Sequence, residues 1–299
     1  MSDNALSLRR PAARRTGGID GSALRSALGG MVISGLGPLL VRNSPVDAAS
    51  TAFWRMTIGA PVALWLARRE PALPPRAKAW AILSGLLLGG DLVVWNHAVL
   101  TTTILEATLL VMVYPLLVAA GGWLLWRERV SARLGLGGIV AFAGLVVMTL
   151  GPAGGQSSLE GNLFALLAAL FYTGCLLITG RLCRVHPTVA VTAWTFVGAS
   201  LGALPAALFE ARFQPADAAG WGYLIVYGGV TLLGYLLINR SLGKLPTNLV
   251  AVLGYGLPVV ATTLAVPLMG EIPSAGDLVG AAIVIAGLTL ATRPAKAAT

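Results

Sequence analysis

Hydrophobic residues collect in ten runs, near 23–41, 48–67, 79–100, 103–126, 133–150, 160–181, 188–209, 218–239, 246–269 and 276–292. Each has roughly the 17–25 residues that a helix needs to cross hydrocarbon. The breaks carry charge, proline or glycine, as in RREPALPPR at 68–76, RERVSAR at 127–133, GPAGGQSS at 151–158 and CRVHP at 183–187. No break is long enough to hold a soluble domain. The pattern predicts an all-α integral membrane protein with ten transmembrane helices.

Composition agrees with that solvent. Hydrophobic residues make up 56% of the chain and charged residues 11%, against about 25% charged in soluble domains. A net charge of +9 would suit a nucleic-acid partner if it formed one basic face. Here it is scattered in short clusters between apolar runs, so the expected partner is the lipid bilayer and not nucleic acid. Counted in alternate breaks, only Arg42, Arg55 and Arg212 fall on one side, which leaves 18 of the 21 basic residues on the other. That asymmetry predicts both termini in the cytoplasm of a multi-pass protein of the bacterial inner membrane. The arm at 1–22, with Arg9, Arg10, Arg14 and Arg15, reads as a cytoplasmic tail, because no small-residue cleavage site follows the first long run. Cys175 and Cys183 stand eight residues apart in one run, about 12 Å along a helix. That is too far for a disulfide.

The chain also repeats itself. Pro115 and Pro258, Glu128 and Glu271, Asn96 and Asn239, Gly137 and Gly280, and Gly144 and Gly287 all share one offset of 143 residues (258 − 115, 271 − 128). An apolar run with a proline near its middle, ended by Glu and followed by a glycine-rich run, therefore occurs twice. Ten spans in two copies make five per copy, an odd number, so the second copy must enter the membrane inverted. Two inverted five-helix repeats at 23–150 and 160–292, joined by an outer linker at 151–159 and followed by a tail at 293–299, form a plan common among secondary transporters.

A helix-breaking proline in the fourth span, Glu at its end and a glycine-rich fifth span, carried by Pro115, Glu128, Gly137 and Gly144 and again by Pro258, Glu271, Gly280 and Gly287, resemble the EamA family of the drug/metabolite transporter superfamily. FWRMTIGA at 53–60 is similar to that family's second span. The resemblance covers about residues 23–292. Within the superfamily the chain is most similar to the aromatic amino acid exporter (YddG-type) subgroup. The resemblance implies a secondary carrier that exports small metabolites by alternating access, with amino acids, aromatic ones above all, as the expected substrates.

Polar groups at membrane depth are costly and mark candidate pathways. Asp91 lies mid-span, with Trp95 one turn later on the same face and Asn96 beside it. Tyr114, Tyr172, Cys175, Tyr235, Asn239 and Tyr255 complete the expected substrate pathway. Pro115 and Pro258 are the expected hinges, each kinking its helix near mid-membrane. Arg55 and Glu106 form a candidate ion pair near the outer surface. Burial of Asp91 makes proton coupling an expectation; held ionised, it would instead take the ammonium of an amino acid. Glycines four apart, Gly85/Gly89, Gly198/Gly202 and Gly276/Gly280, predict close helix packing. Spans five and ten carry almost no polar residue, which makes them scaffold or a dimer face, so monomer and homodimer both stay open.

Enzyme chemistry finds no support. There is no H-E-x-x-H, no phosphate loop and no mid-span lysine, and His97 and His186 lie in different helices. No cofactor and no metal are expected. Anionic sugar nucleotides would call for buried Arg or Lys, and spans one, three, four, six, eight and nine have none at mid-depth. A neutral or zwitterionic solute therefore leads, with a broad drug/metabolite or nucleotide-sugar carrier as the alternative and a solute channel as the alternative from another class.

Overall fold

The chain is described by a computed structural model over residues 20–102, 104–128, 130–148, 158–269 and 274–292. The basic arm at 1–19, residues 151–157 of the outer linker, Glu271 and the tail at 293–299 lie outside the described residues. Every element within them is helical: α1 (Gly21–Ser34), α2 (Gly37–Arg42), α3 (Ala48–Ala67), α4 (Pro75–Thr101), α5 (Ile104–Val111), α6 (Tyr114–Trp126), α7 (Ala132–Met148), α8 (Leu159–Val185), α9 (Thr188–Ala207), α10 (Ala218–Leu242), α11 (Thr247–Leu253), α12 (Gly256–Met269) and α13 (Ala275–Thr292).

Among the described residues, eight stretches are long and apolar enough to cross a membrane, including Pro75–Thr101, Leu159–Val185 and Ala218–Leu242. The two remaining runs fall short by that measure for different reasons. α7 is apolar but only 17 residues long. α3 has 20 residues but buries Ser50, Thr51 and Arg55 along its length.

Three of the apolar runs are interrupted, each giving two helices: α1 with α2, α5 with α6, and α11 with α12. This corrects the reading of Pro115 and Pro258 as kinks inside one continuous helix. Both prolines sit in the first turn of a new helix, just past breaks at Met112–Val113 and Gly254–Tyr255. Proline lacks an N–H, which costs nothing where the helix has no acceptor to offer, so it starts helices better than it bends them. Pro38 does the same for α2, an interruption that the duplicated pattern does not mark.

The packing inverts the habit of soluble proteins. Small residues fill the inside: Ala27, Ala52, Ala63, Ala81, Ala141, Ala168 and Ala203 are fully buried, whereas Leu124 is 74% and Ile139 62% exposed. Lipid tails are as apolar as leucine, so helices gain little by hiding leucine and associate instead where backbones approach closely. Gly85 and Gly89 of α4 meet Gly198 and Gly202 of α9 so tightly that a Cβ at any of the four would strike the opposing backbone. α7 and α13 cross in the same way: a Cβ at Gly137 would stand 2.6 Å from the Gly287 carbonyl oxygen, and one at Gly144 2.7 Å from that of Gly280. Gly276, the other member of its expected pair, has only ordinary contacts.

Polar contacts recur in matched form. Glu210 closes the N-terminus of α3, accepting from the amides of Ala49 at 2.7 Å and Ser50 at 2.6 Å. Glu70 does the same for α9, accepting from the Ala190 amide at 2.9 Å. Asn96 donates from α4 to the Ala48 carbonyl at 2.7 Å, and Asn239 donates from α10 to Thr192 Oγ1 at 2.8 Å. Asp20 caps α1 through the amides of Ser22 and Ala23 and pairs with Lys244 at 3.2 Å. The Ser22 hydroxyl, together with these partners, holds its carboxyl below the usual carboxylate range.

Candidate functional site

Helix α10 presents one face at four-residue intervals: Tyr227, Thr231, Tyr235 and Asn239. The first three of these line a cavity of 480 Å³ at the centre of the bundle. α4 adds Asp91 and Trp95, again four apart, and α3 adds Arg55. Tyr114, Val111 and Met112 come from the break between α5 and α6, Tyr172 from α8, and Leu257, Pro258 and Thr262 from the start of α12. The three helix breaks all reach this space, since Gly35 and Gly37 of the first break also line it. Broken helices at membrane depth are tolerated where they face a cavity or protein.

Among the described residues, the cavity lining reaches one end of the bundle. Met148, the last residue of α7, and Asp277, in the first turn of α13, mark that end. The other end is packed shut. All seven residues of α11 are buried, and Tyr255 is 0% exposed. Tyr114 crosses from one helix break to the other: its hydroxyl donates to the Ala251 carbonyl at 3.1 Å, and a Cβ at Gly254 would overlap that hydroxyl. Beyond it, Glu128 accepts from Arg181 at 2.7 Å and Arg184 at 3.5 Å, and Arg184 also reaches Thr247 of α11 at 3.5 Å. Trp126 lies under the Arg181 guanidinium, 4.1 Å from ring centre to Cζ.

Aromatic rings form much of the wall. Tyr114 and Tyr172 meet edge to face with centroids 4.8 Å apart, and Tyr235 is held edge-on by Phe196 at 5.6 Å. Charge is sparse: Arg55 and Asp91 are buried in the wall, and Asp277 stands half-buried at the open end. Asp91 is 7% exposed, and among the described residues no group donates to its carboxylate. Arg55 is 6% exposed; it donates through Nη1 to the Tyr227 hydroxyl, which in turn donates to the Gly37 carbonyl at 3.3 Å. The two charged groups interact across the cavity without forming an ion pair.

The sequence-derived residues thus divide. Asp91, Trp95, Tyr114, Tyr172, Tyr235 and Pro258 line the cavity. Asn96 lies in the α3–α4 seam and Asn239 bonds α9, each tying neighbouring helices together. Cys175 belongs to a buried hydroxyl cluster with Ser84 and Thr179, where the two hydroxyls lie 2.6 Å apart, and its thiol is free. Tyr255 and Pro115 are buried outside the cavity lining, and among the described residues the Tyr255 hydroxyl has no partner. Arg55 is not at an outer surface: it faces the cavity and bonds Tyr227. The side chain of Glu106, its expected partner, lies outside the described residues. Tyr227 and Thr231 are cavity residues that the reading of the sequence passed over, although their spacing from Tyr235 was the signal. No three His, Cys, Asp or Glu side chains converge on a metal-sized site among the described residues.

An all-helical, membrane-spanning bundle around a one-ended, aromatic-walled cavity defines a membrane transport protein. The chain belongs to the EamA-like transporter family, whose profile matches twice, over residues 22–150 and 159–293. Aromatic amino acid exporter YddG of Ancylobacter novellus is 28% identical over 196 residues, 64% of this chain and 68% of its own. Pseudopaline exporter CntI of Pseudomonas aeruginosa is 24% identical over 255 residues, 85% of this chain and 89% of its own. The uncharacterized transporter YetK of Bacillus subtilis is 26% identical over 200 residues, a match spanning 61% of that relative, less than two thirds of its length. A crystal structure superposes with a TM-score of 0.76 at 25% identity, covering 91% of this chain and 98% of that one. Family and relatives are transporters, not enzymes.

Proposed function

We propose that this protein is a secondary carrier that exports small neutral or zwitterionic metabolites, amino acids and foremost aromatic ones, across the bacterial inner membrane by alternating access. The observation that carries the reading is the central cavity: closed at one end, walled by Trp95, Tyr114, Tyr172 and Tyr235, and holding one buried acid and one buried base. A pore open at both ends would favour a channel, and an excess of buried base would favour a sugar nucleotide. Ten spans in two inverted five-helix repeats, 23–150 and 160–292, belong to the same proposal. The double family match, the reciprocal caps of Glu70 and Glu210 and the antiparallel pairing of Gly137 with Gly287 and Gly144 with Gly280 support it. With the basic-residue bias placing both termini in the cytoplasm, the cavity faces outward and the Glu128 cluster lies inside. Asp91 is the candidate for proton coupling, since a carboxylate that must release a substrate before taking a proton exchanges one for the other.

The test is counterflow in proteoliposomes preloaded with phenylalanine, run with and without a pH gradient. Saturable exchange of labelled phenylalanine supports the carrier, and a pH gradient that drives accumulation supports proton coupling. Single-channel conductance, or no exchange of any amino acid, refutes the reading.

A further inference from the structure

The cavity's two buried charges, Arg55 and Asp91, differ from Asp277 at its mouth, which accepts from Ser274, in that the protein leaves hydrogen bonds of both unmet. Arg55 is fixed from one side. Its Nη1 is taken by Tyr227, whose ring lies 5.2 Å from Cζ and whose hydroxyl is anchored on Gly37. Among the described residues its buried Nε has no partner, and no hydrogen bond reaches Nη2. Nε is closed off from the cavity, so Nη2 is the charged donor left to face it. Asp91, on the neighbouring helix α4, presents the opposite charge to the same space with no donor of its own. A buried charge without a full set of partners is expensive.

We infer that Arg55 and Asp91 are the two ends of a slot for one α-amino-acid zwitterion, Arg55 binding the carboxylate through Nη2 and Asp91 binding the ammonium. The ligand is then an unblocked α-amino acid of no net charge, with its side chain against Trp95, Tyr114 and Tyr172. The inference rests on the export of amino acids proposed above and adds what fixes the substrate class: both backbone charges are read at once, by two helices. Tyr227 is a positioning residue, holding the guanidinium by Nη1 so that Nη2 stays free.

The full-length chain, purified in detergent, tests this by competition against labelled phenylalanine with two single-charge analogues, phenethylamine and 3-phenylpropionate. On the wild-type protein each analogue binds weaker than phenylalanine by about tenfold or more, the scale of one lost charge-assisted bond. In Arg55→Gln, phenylalanine falls to the level of phenethylamine, whose affinity is unchanged. In Asp91→Asn, phenylalanine falls to the level of 3-phenylpropionate, again unchanged. Removing the ligand's carboxylate and the protein's guanidinium is then non-additive, the signature of a direct contact. Arg55→Lys keeps the charge without the planar group that Tyr227 holds in place and recovers only part of the affinity. The wild-type analogue series needs no variant, so it decides the matter even if a substitution fails to fold. Analogues that bind as tightly as phenylalanine, with phenylalanine exchange intact, overturn the slot and leave the exporter standing. Additive effects, or the two variants exchanging their preferences, overturn the assignment of the ends. Absence of binding and exchange for every amino acid overturns both.

Discussion

Glu128→Gln cuts the tie that closes the packed end of the bundle. In the present state Glu128 Oε1 accepts from Arg181 at 2.7 Å and from Arg184 at 3.5 Å, with side-chain exposures of 28%, 14% and 21%. Fully exposed pairs contribute about 0–1 kcal/mol, and breaking a fully buried one costs about 3–5 kcal/mol. A cluster this sheltered but not sealed falls between, so about 1.4 kcal/mol is a fair figure, equivalent to about tenfold in an equilibrium. The tie links α8 to the segment after α6, and through Thr247 to α11. The tie is taken to break when that end opens. Gln therefore raises the population open at this end by about tenfold without altering the cavity residues. The assay is alkylation of a cysteine at Asn248, which is 6% exposed in this state, in a background lacking Cys175 and Cys183. Labelling should quicken about tenfold in Glu128→Gln and slow again when saturating substrate is trapped from the opposite side. Unchanged labelling, in a variant that still folds and binds, would refute the view of this cluster as a latch.

Three further outcomes follow. Gly254→Ala drives a methyl into the Tyr114 hydroxyl and should cost about 1–3 kcal/mol of overpacking, with loss of exchange. Gly256→Ala, which meets only the end of Leu288 at 3.3 Å, should be tolerated in the same flux assay. Asn239→Ala removes the bond to Thr192 and should lower the unfolding midpoint in detergent by an amount equivalent to about 1 kcal/mol, while the order of preferred substrates stays the same; a changed order would return Asn239 to the pathway. Reporter fusions after Gly154 and Pro215 should read outside and fusions after Pro75 and Pro187 inside, and an inside signal after Gly154 would defeat the inverted arrangement.

Much of this architecture is written in local pattern. Hydropathy marks where helices lie because each must span the same slab, and a four-residue glycine spacing marks a crossing because only bare backbone approaches so closely. Asp91 and Trp95 are legible together because one helical turn puts them on one face. Other features depend on distance along the chain. Glu70 and Glu210 look like ordinary loop acids, and only the folded bundle brings them to helix ends 120 and 161 residues away. Arg55 sits eight residues into α3, where an interfacial position is the natural reading. Its partner Tyr227 is 172 residues away, and no spacing rule connects them. The break between α1 and α2 hides for a different reason: Pro38 has no counterpart in the repeat, so the comparison of halves that exposes Pro115 and Pro258 is silent there.

The crossed caps set a timetable for biogenesis. Ribosomes deliver the chain from its N-terminus at about 5–20 residues per second, and 160 residues separate Ser50 from Glu210. The first amides of α3 therefore wait about 8–32 seconds after synthesis for their acceptor, held meanwhile by water at the bilayer edge. α9 has no such delay, since Glu70 is already made when Ala190 emerges. The early half of the protein is thus completed by the late half, whereas α9 finds its own cap already made. A ribosome that stalls between residues 70 and 210 would leave in the membrane a half that carries a cap for its missing sister and none for itself.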